Sequence, residues 1–134
     1  MEDIFVGRLM STDVVTISPS TTVETAAQVL LEEQIGSVIV VDGDNQPAGI
    51  LTSTDFVRIV ATGDPDDVTT VEDHMSEEIV TVATQDSIQD AADRLITYQI
   101  HHLPVVDETE GVVGVLSTTD LAEYLSDVQN LAPV

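Results

Sequence analysis

The chain has 134 residues, 43% hydrophobic but only 3% aromatic, enough for one compact domain or two small lobes with an aliphatic core. Three cations, Arg8, Arg58 and Arg94, face 25 acidic side chains for a net charge of −22, a field that repels nucleic-acid phosphate and anionic lipid. No run approaches the ~20 apolar residues of a membrane span, Met1-Glu2-Asp3 lacks the basic, apolar start of a leader, and the absence of cysteine removes disulfides and thiolate metal sites.

These bounds lead us to expect a cytoplasmic protein with neither nucleic-acid nor membrane partners. Its acidic surface suits a salt-loaded cytosol, where the screening length contracts to about 3 Å near molar salt and self-repulsion is tolerated.

In chain order, Val6-x-x-x-Met10-Ser11 opens the first readable unit, and Val14–Ile17 reads as a short strand. Thr21 with Glu24 has capping-box spacing. Val23, Ala26, Ala27 and Leu30 then follow at the i, i+3, i+4, i+7 spacing of one buried helical face, with alanines small enough to lie close on a sheet. Val38–Val41 and Ala48–Leu51 flank the turn-rich Asp42-Gly43-Asp44-Asn45-Gln46-Pro47 as a hairpin. The unbroken apolar run of its first strand predicts cover on both faces. Gly49 would ease the chain into a second helix over Ser53–Thr62, which Gly63-Asp64-Pro65 ends.

The same sentence is then written again. Met10 and Met75 stand 65 residues apart, and at that offset Val71-x-x-x-Met75-Ser76, a strand Ile79–Val82, Asp86 with Gln89, and Ile88, Ala91, Ala92 and Leu95 recur without a gap. Leu103–Val106 and Val112–Leu116 form the second hairpin, and Gly114, like Gly49, would ease the chain into the last helix, Thr118–Val128. The predicted fold is α+β: two β-α-β-β-α repeats, residues 6–63 and 71–128, joined by a linker at 64–70 and packed about a pseudo-twofold axis. Met10 and Met75 read as packing pieces.

The most specific phrase is "GILTSTD" at 49–55, repeated as "GVLSTTD" at 114–120. Thr52 with Asp55, and Ser117 with Asp120, have the hydroxyl-x-x-acid spacing of a helix cap. The same geometry suits a nucleoside phosphate. Unpaired N–H groups and the helix dipole receive an anion beside the hydroxyl, and the acid accepts hydrogen bonds from a cis-diol. Capping and binding are compatible, and the phrase alone does not choose between them.

On the Val-x-x-x-Met openings, the run "HLPVVD" at 102–107 and the two glycine phrases, the chain resembles a tandem CBS (cystathionine β-synthase) domain pair, or Bateman module, from about Val6 to Val128. The resemblance implies adenosine-type ligands (AMP, ADP, ATP or S-adenosylmethionine) bound in clefts between the repeats. Asp55 and Asp120 would hold ribose, Thr52 and Ser117 would face phosphate, and Thr16-Ile17 and Thr81-Val82 would border adenine. Several nucleotide-binding members carry His-Arg before Leu-Pro-Val, where this chain has His101-His102 followed by Leu103-Pro104, so the arginine is missing.

The family's cross-cleft arrangement would put His101 and His102 with Thr52, Asp55 and Arg58, and Gly36 and Ser37 with Ser117 and Asp120. The Asp55 cleft should then bind phosphate more tightly, leaving the other empty or open to a neutral or cationic adenosyl ligand. The resemblance also implies a homodimer and an effector protein. With the acidity, it suggests a halophilic archaeal source.

Plainer readings stand beside these. Arg58, one turn after Asp55, pairs with it or with other acids on the surface. His101 and His102 serve as turn residues, and with His74 remote in sequence no metal set forms. Pro104 shapes its strand where it opens near an end. No nucleophile elbow, Walker loop or paired-His box points to an enzyme, and Mg²⁺ on surface carboxylates would be unspecific. The leading expectation is a non-catalytic sensor that needs no cofactor and takes an adenine nucleotide or S-adenosylmethionine as regulatory ligand. The alternative is a ligand-free scaffold whose phrases only cap helices.

Overall fold

The computed structural model describes residues 4–63 and 69–131, with side chains to residue 127. Its elements are α1 (Val6–Leu9), β1 (Thr16–Ile17), α2 (Val23–Glu33), β2 (Ser37–Val41), β3 (Pro47–Thr52), α3 (Ser53–Thr62), a 3-10 turn (Val71–Asp73), β4 (Val82–Ala83), α4 (Ile88–Tyr98), β5 (His102–Asp107), β6 (Gly111–Ser117) and α5 (Thr118–Leu131). Both β-α-β-β-α repeats form. Of the expected linker, residues 64–68 lie outside the described residues, as do Met1–Asp3.

The contacts divide the chain into two compact units, Val15–Ile79 and a second made of the residues up to Val14 together with those from Val80 onward. Each holds one three-stranded sheet, ordered β1-β2-β3 and β4-β5-β6. In both, the central strand runs parallel to the short first strand and antiparallel to the third. Val38, Ile39 and Val40 are all buried, as are Leu103, Pro104 and Val105, so the central strands are covered on both faces as their composition predicts. The core of the first unit gathers Val23, Ala26 and Leu30 of α2 with Val38, Val40 and Leu51. That of the second gathers Ala91 and Leu95 with Leu103, Val105 and Leu116. Each such leucine contributes about 1.5–3 kcal/mol on leaving water.

The opening turns are exchanged. Val6 is wholly buried in the core of the second unit, and its N–H donates to the Asp86 carbonyl at 2.8 Å while Gly7 N–H donates to Thr84 at 2.9 Å. Ser11 trades backbone bonds with Val115 of β6 at 2.9 and 3.0 Å. Val71 is likewise buried in the first unit, and Ser76 trades two 3.1 Å bonds with Ile50 of β3.

This exchange corrects the reading of Gly49 and Gly114. Both lie inside strands rather than at turns, and neither has a positive φ. A Cβ at Gly114 would stand 2.6 Å from Met10 Sδ, and one at Gly49 would collide with Met75 in the same way. Glycine is needed there as a notch for the methionine of the opening turn.

Two caps also move by one residue. α2 starts from Thr22, whose side chain accepts the Thr25 N–H, and α4 from Ser87, which accepts from Asp90. Thr21-Glu24 and Asp86-Gln89 are therefore not capping boxes, because the adjacent hydroxyls take the caps. β1 and β4 are shorter than the strands expected at Val14–Ile17 and Ile79–Val82.

Pro104 is a fully buried residue of the central strand β5, not a residue at a strand's opening. Val115, opposite it, spends its N–H and C=O on Ser11. The Pro104 nitrogen therefore faces β4, where its missing N–H removes a rung that Ile39 supplies in the first unit. Consequently β4 begins at Val82, one position later in the repeat than Thr16 of β1.

Candidate functional site

β3 runs into α3, and β6 into α5, without an intervening loop, so the last strand residue is also the helix cap. Thr52 accepts the Asp55 N–H at 3.4 Å, while Asp55 Oδ2 accepts the Thr52 N–H at 2.8 Å and its hydroxyl at 3.1 Å. Ser117 and Asp120 repeat this at 3.1 and 2.8 Å. Both phrases are thus true capping boxes, and both aspartates are held half-buried at a helix N-terminus. A carboxylate offers about four lone-pair positions. Asp55 uses two on Oδ2 and one on Oδ1, which accepts from Arg58 Nη1 at 3.2 Å. Among the described hydrogen bonds, Asp120 accepts only from Ser117 N–H, so more of its capacity is open.

The residue beside each box arrives on the central strand. Ser37 pairs with Thr52, and the Gly36 carbonyl accepts from Ser53 N–H at 3.0 Å. His102 pairs with Ser117, and the His101 carbonyl accepts from Thr118 N–H at 3.0 Å. His101-His102 thus occupy in one unit the place of Gly36-Ser37 in the other. Burial, and then the charge of His101, hold the His102 pKa below its ordinary value, with Asp120 opposing. The ring is therefore neutral at pH 7 and provides no cation there. Exposed Glu123 stands where the first unit has Arg58.

Thr16 and Ile17 lie on β1, opposite Ile39 and Val40. Thr81 comes just before β4, and Val82 starts it. The first unit therefore collects Thr16, Ile17, Gly36, Ser37, Thr52, Asp55 and Arg58. The second collects Thr81, Val82, His101, His102, Pro104, Ser117 and Asp120, with Pro104 a core residue. Among the described residues no group of three His, Cys, Asp or Glu could hold a metal ion, and no helix is long and apolar enough to cross a membrane.

Arg94 is the residue that reading by motif missed. From α4 its Nη1 donates to the Thr81 carbonyl at 2.8 Å and to Asp86 Oδ2 at 3.3 Å, and that same oxygen accepts the Ala83 N–H at 2.8 Å. The pair clamps β4 at both ends. Its signal in the sequence is a mismatch between repeats, because Val29 stands at the equivalent position.

The family model of the CBS domain matches twice, over residues 6–62 and 71–127. The chain belongs to the CBS family. An uncharacterized 17.7 kDa protein of Acidianus ambivalens is 30% identical over 94% of this CBS pair and 76% of its own length. Homoserine O-acetyltransferase of Methanosphaerula palustris is 29% identical over 93% of the CBS pair, which spans only 25% of that enzyme. Among solved structures, the CBS domain pair of protein MJ0100, in complex with 5'-methylthioadenosine and S-adenosyl-L-methionine, matches with a TM-score of 0.86 at 24% identity over 95% of this chain and 99% of that one. CBSX2 in complex with AMP matches with a TM-score of 0.81 at 22% identity over 93% and 98%. At such identities these two likenesses establish the fold.

Proposed function

We propose that this CBS pair is a non-catalytic regulatory module that binds an adenosine-type ligand at each capping box and passes its occupancy to a partner protein. The observation that carries this reading is the duplicated, half-buried carboxylate, fixed by its own helix cap with acceptor positions to spare. A ribose diol can take the open positions of Asp120, and those of Asp55 once Arg58 leaves Oδ1, and the helix N-terminus beside each suits a phosphate. The ligands of MJ0100 and CBSX2 support the same chemistry. The Asp55 box, with Arg58, favours an anionic nucleotide; the Asp120 box, with neutral His102 and with Glu123, favours a neutral or cationic adenosyl group.

Leu31 and Ile96, and Val60 and Leu125, are equivalent positions in the two repeats, and all four are 62–79% exposed. Apolar residues repeated in this way support a homodimer. The charge of −22 supports a salt-loaded cytoplasm, so melting temperature should rise from dilute buffer to molar KCl.

Calorimetry with AMP, ATP and S-adenosylmethionine tests the reading. A ligand at a hundred times its Kd stabilises the fold by about 2.7 kcal/mol. Asp55→Ala and Asp120→Ala should each remove one binding event. No heat and no thermal shift with any of the three would leave the boxes as helix caps alone.

A further inference from the structure

We propose that Met10 and Met75 are reversible oxidation sites, at which a hydroperoxide turns the thioether into a sulfoxide and lifts the opening turn off its strand. Occupancy of the capping boxes plays no part in this. The sequence has no cysteine, so Met10 and Met75 carry all the sulfur among the described residues. Both are partly exposed, within reach of a small oxidant. Both also sit against a glycine. A Cβ at Gly114 would meet Met10 Sδ at 2.6 Å and its Cγ at 3.0 Å, and one at Gly49 would run into Met75 Sδ, Cγ and Cβ. Each side chain packs on a core as well, Met75 on that of the first unit and Met10 on that of the second.

In the reaction a lone pair of Sδ attacks one peroxide oxygen, so that an S–O bond forms and the O–O bond breaks. The proton of the transferred oxygen passes to the departing one, which leaves as water or an alcohol. Sulfur loses two electrons and the hydroperoxide gains them. The product is polar, and its surroundings do not suit it. Ile50 turns its N–H and C=O to Ser76, and Val115 turns its own to Ser11. The adjoining Gly49 and Gly114 therefore turn theirs to the central strands, as an antiparallel ladder alternates. A sulfoxide oxygen directed at the glycine meets neither space nor a free donor. Directed away, it draws the side chain out of the apolar cluster toward water. Either way the methionine leaves its seat. Ser11 and Ser76, the next residues, hold Val115 and Ile50 by backbone bonds, two positions before the caps Ser117 and Thr52. Oxidation thus loosens the strand end on which each capping box is built.

Treating the folded chain with hydrogen peroxide, followed by peptide mass spectrometry and amide hydrogen exchange, tests this. Met10 and Met75 should each gain one oxygen. The amides of Ser76 and Ile50, and of Ser11 and Val115, should then exchange about tenfold faster, as overpacking of a filled site predicts, while those of α2 and α4 keep their rates. Methionine sulfoxide reductases of both epimer specificities should restore the slow exchange. Met10→Leu with Met75→Leu, close in volume and without sulfur, should be indifferent to peroxide. If that chain loses its cooperative melt, norleucine in place of every methionine, which puts a methylene where the sulfur was, serves instead. Two intact thioethers after a dose that fully oxidises free methionine overturn the proposal. So does full oxidation with the four amides unchanged, and so does an acceleration that persists in the chain lacking these thioethers. An acceleration that the reductases leave in place overturns its reversibility.

Discussion

Around Thr52 and around Ser117 the backbone makes the same bonds: strand into cap, carboxylate back to the cap N–H, and the carbonyl of the residue before the central strand to the first turn of the helix. The side chains bordering the two boxes are different. Arg58 corresponds to Glu123, Gly36-Ser37 to His101-His102, and Val29 to Arg94. The frame depends on main-chain groups that any sequence supplies, whereas charge and donor pattern come from side chains free to diverge. Duplication therefore leaves one scaffold with two capping boxes whose surroundings can change separately.

The strongest test of that shared frame is in the cores. Leu51 and Leu116 are equivalent and fully buried. Leu51→Ala and Leu116→Ala should each cost about 2–5 kcal/mol in urea unfolding, with nearly equal values. A large inequality would mean that the units do not share a packing. Gly49→Ala and Gly114→Ala come next, at about 1–3 kcal/mol, because each new methyl overpacks a methionine. Shortening Met75 or Met10 to alanine in the same chain should recover part of the loss, read as a coupling energy in a double-mutant cycle.

Smaller effects sharpen the difference between the sites. If nucleotide binds as proposed, exchanging Arg58→Glu and Glu123→Arg should shift the tighter binding from the Asp55 box to the Asp120 box. Affinities should change by a few-fold, fading with added salt as exposed pairs do. The smallest effect belongs to His102. Its folded pKa lies below the ordinary 6.5, so the unfolded chain takes up a proton first. Stability is then full above 6.5 and falls as pH drops toward the folded value. His102→Gln should flatten that slope in melts between pH 7.5 and 5.5.

Much of this was legible in the residues. The 65-residue register placed both hairpins and both helices that follow them, and α3 occupies the span its sequence predicts, Ser53–Thr62. The hydroxyl-x-x-acid phrases proved to be caps in both repeats. Thr21 and Asp86 were misread because each has a hydroxyl neighbour, and spacing alone does not say which of two adjacent residues turns the chain. Gly49 and Gly114 could not be understood locally, since what requires them is a methionine in a distant segment. The brace at Arg94 depends on the Asp86 carboxylate and the Thr81 backbone carbonyl, a combination that no single motif describes.

The exchanged opening turns bear on how such a chain can be cut and how it arose. Severed within residues 64–70, it would give two pieces, each carrying the methionine plug for the other's glycine socket. Co-expressed, the pieces should reassemble, while either alone would keep a vacant socket and an orphaned plug. A lone ancestral repeat with both parts would be self-complementary only as a pair of copies trading ends. Fusing two such genes in tandem would turn that reciprocal handshake between molecules into one within a single polypeptide.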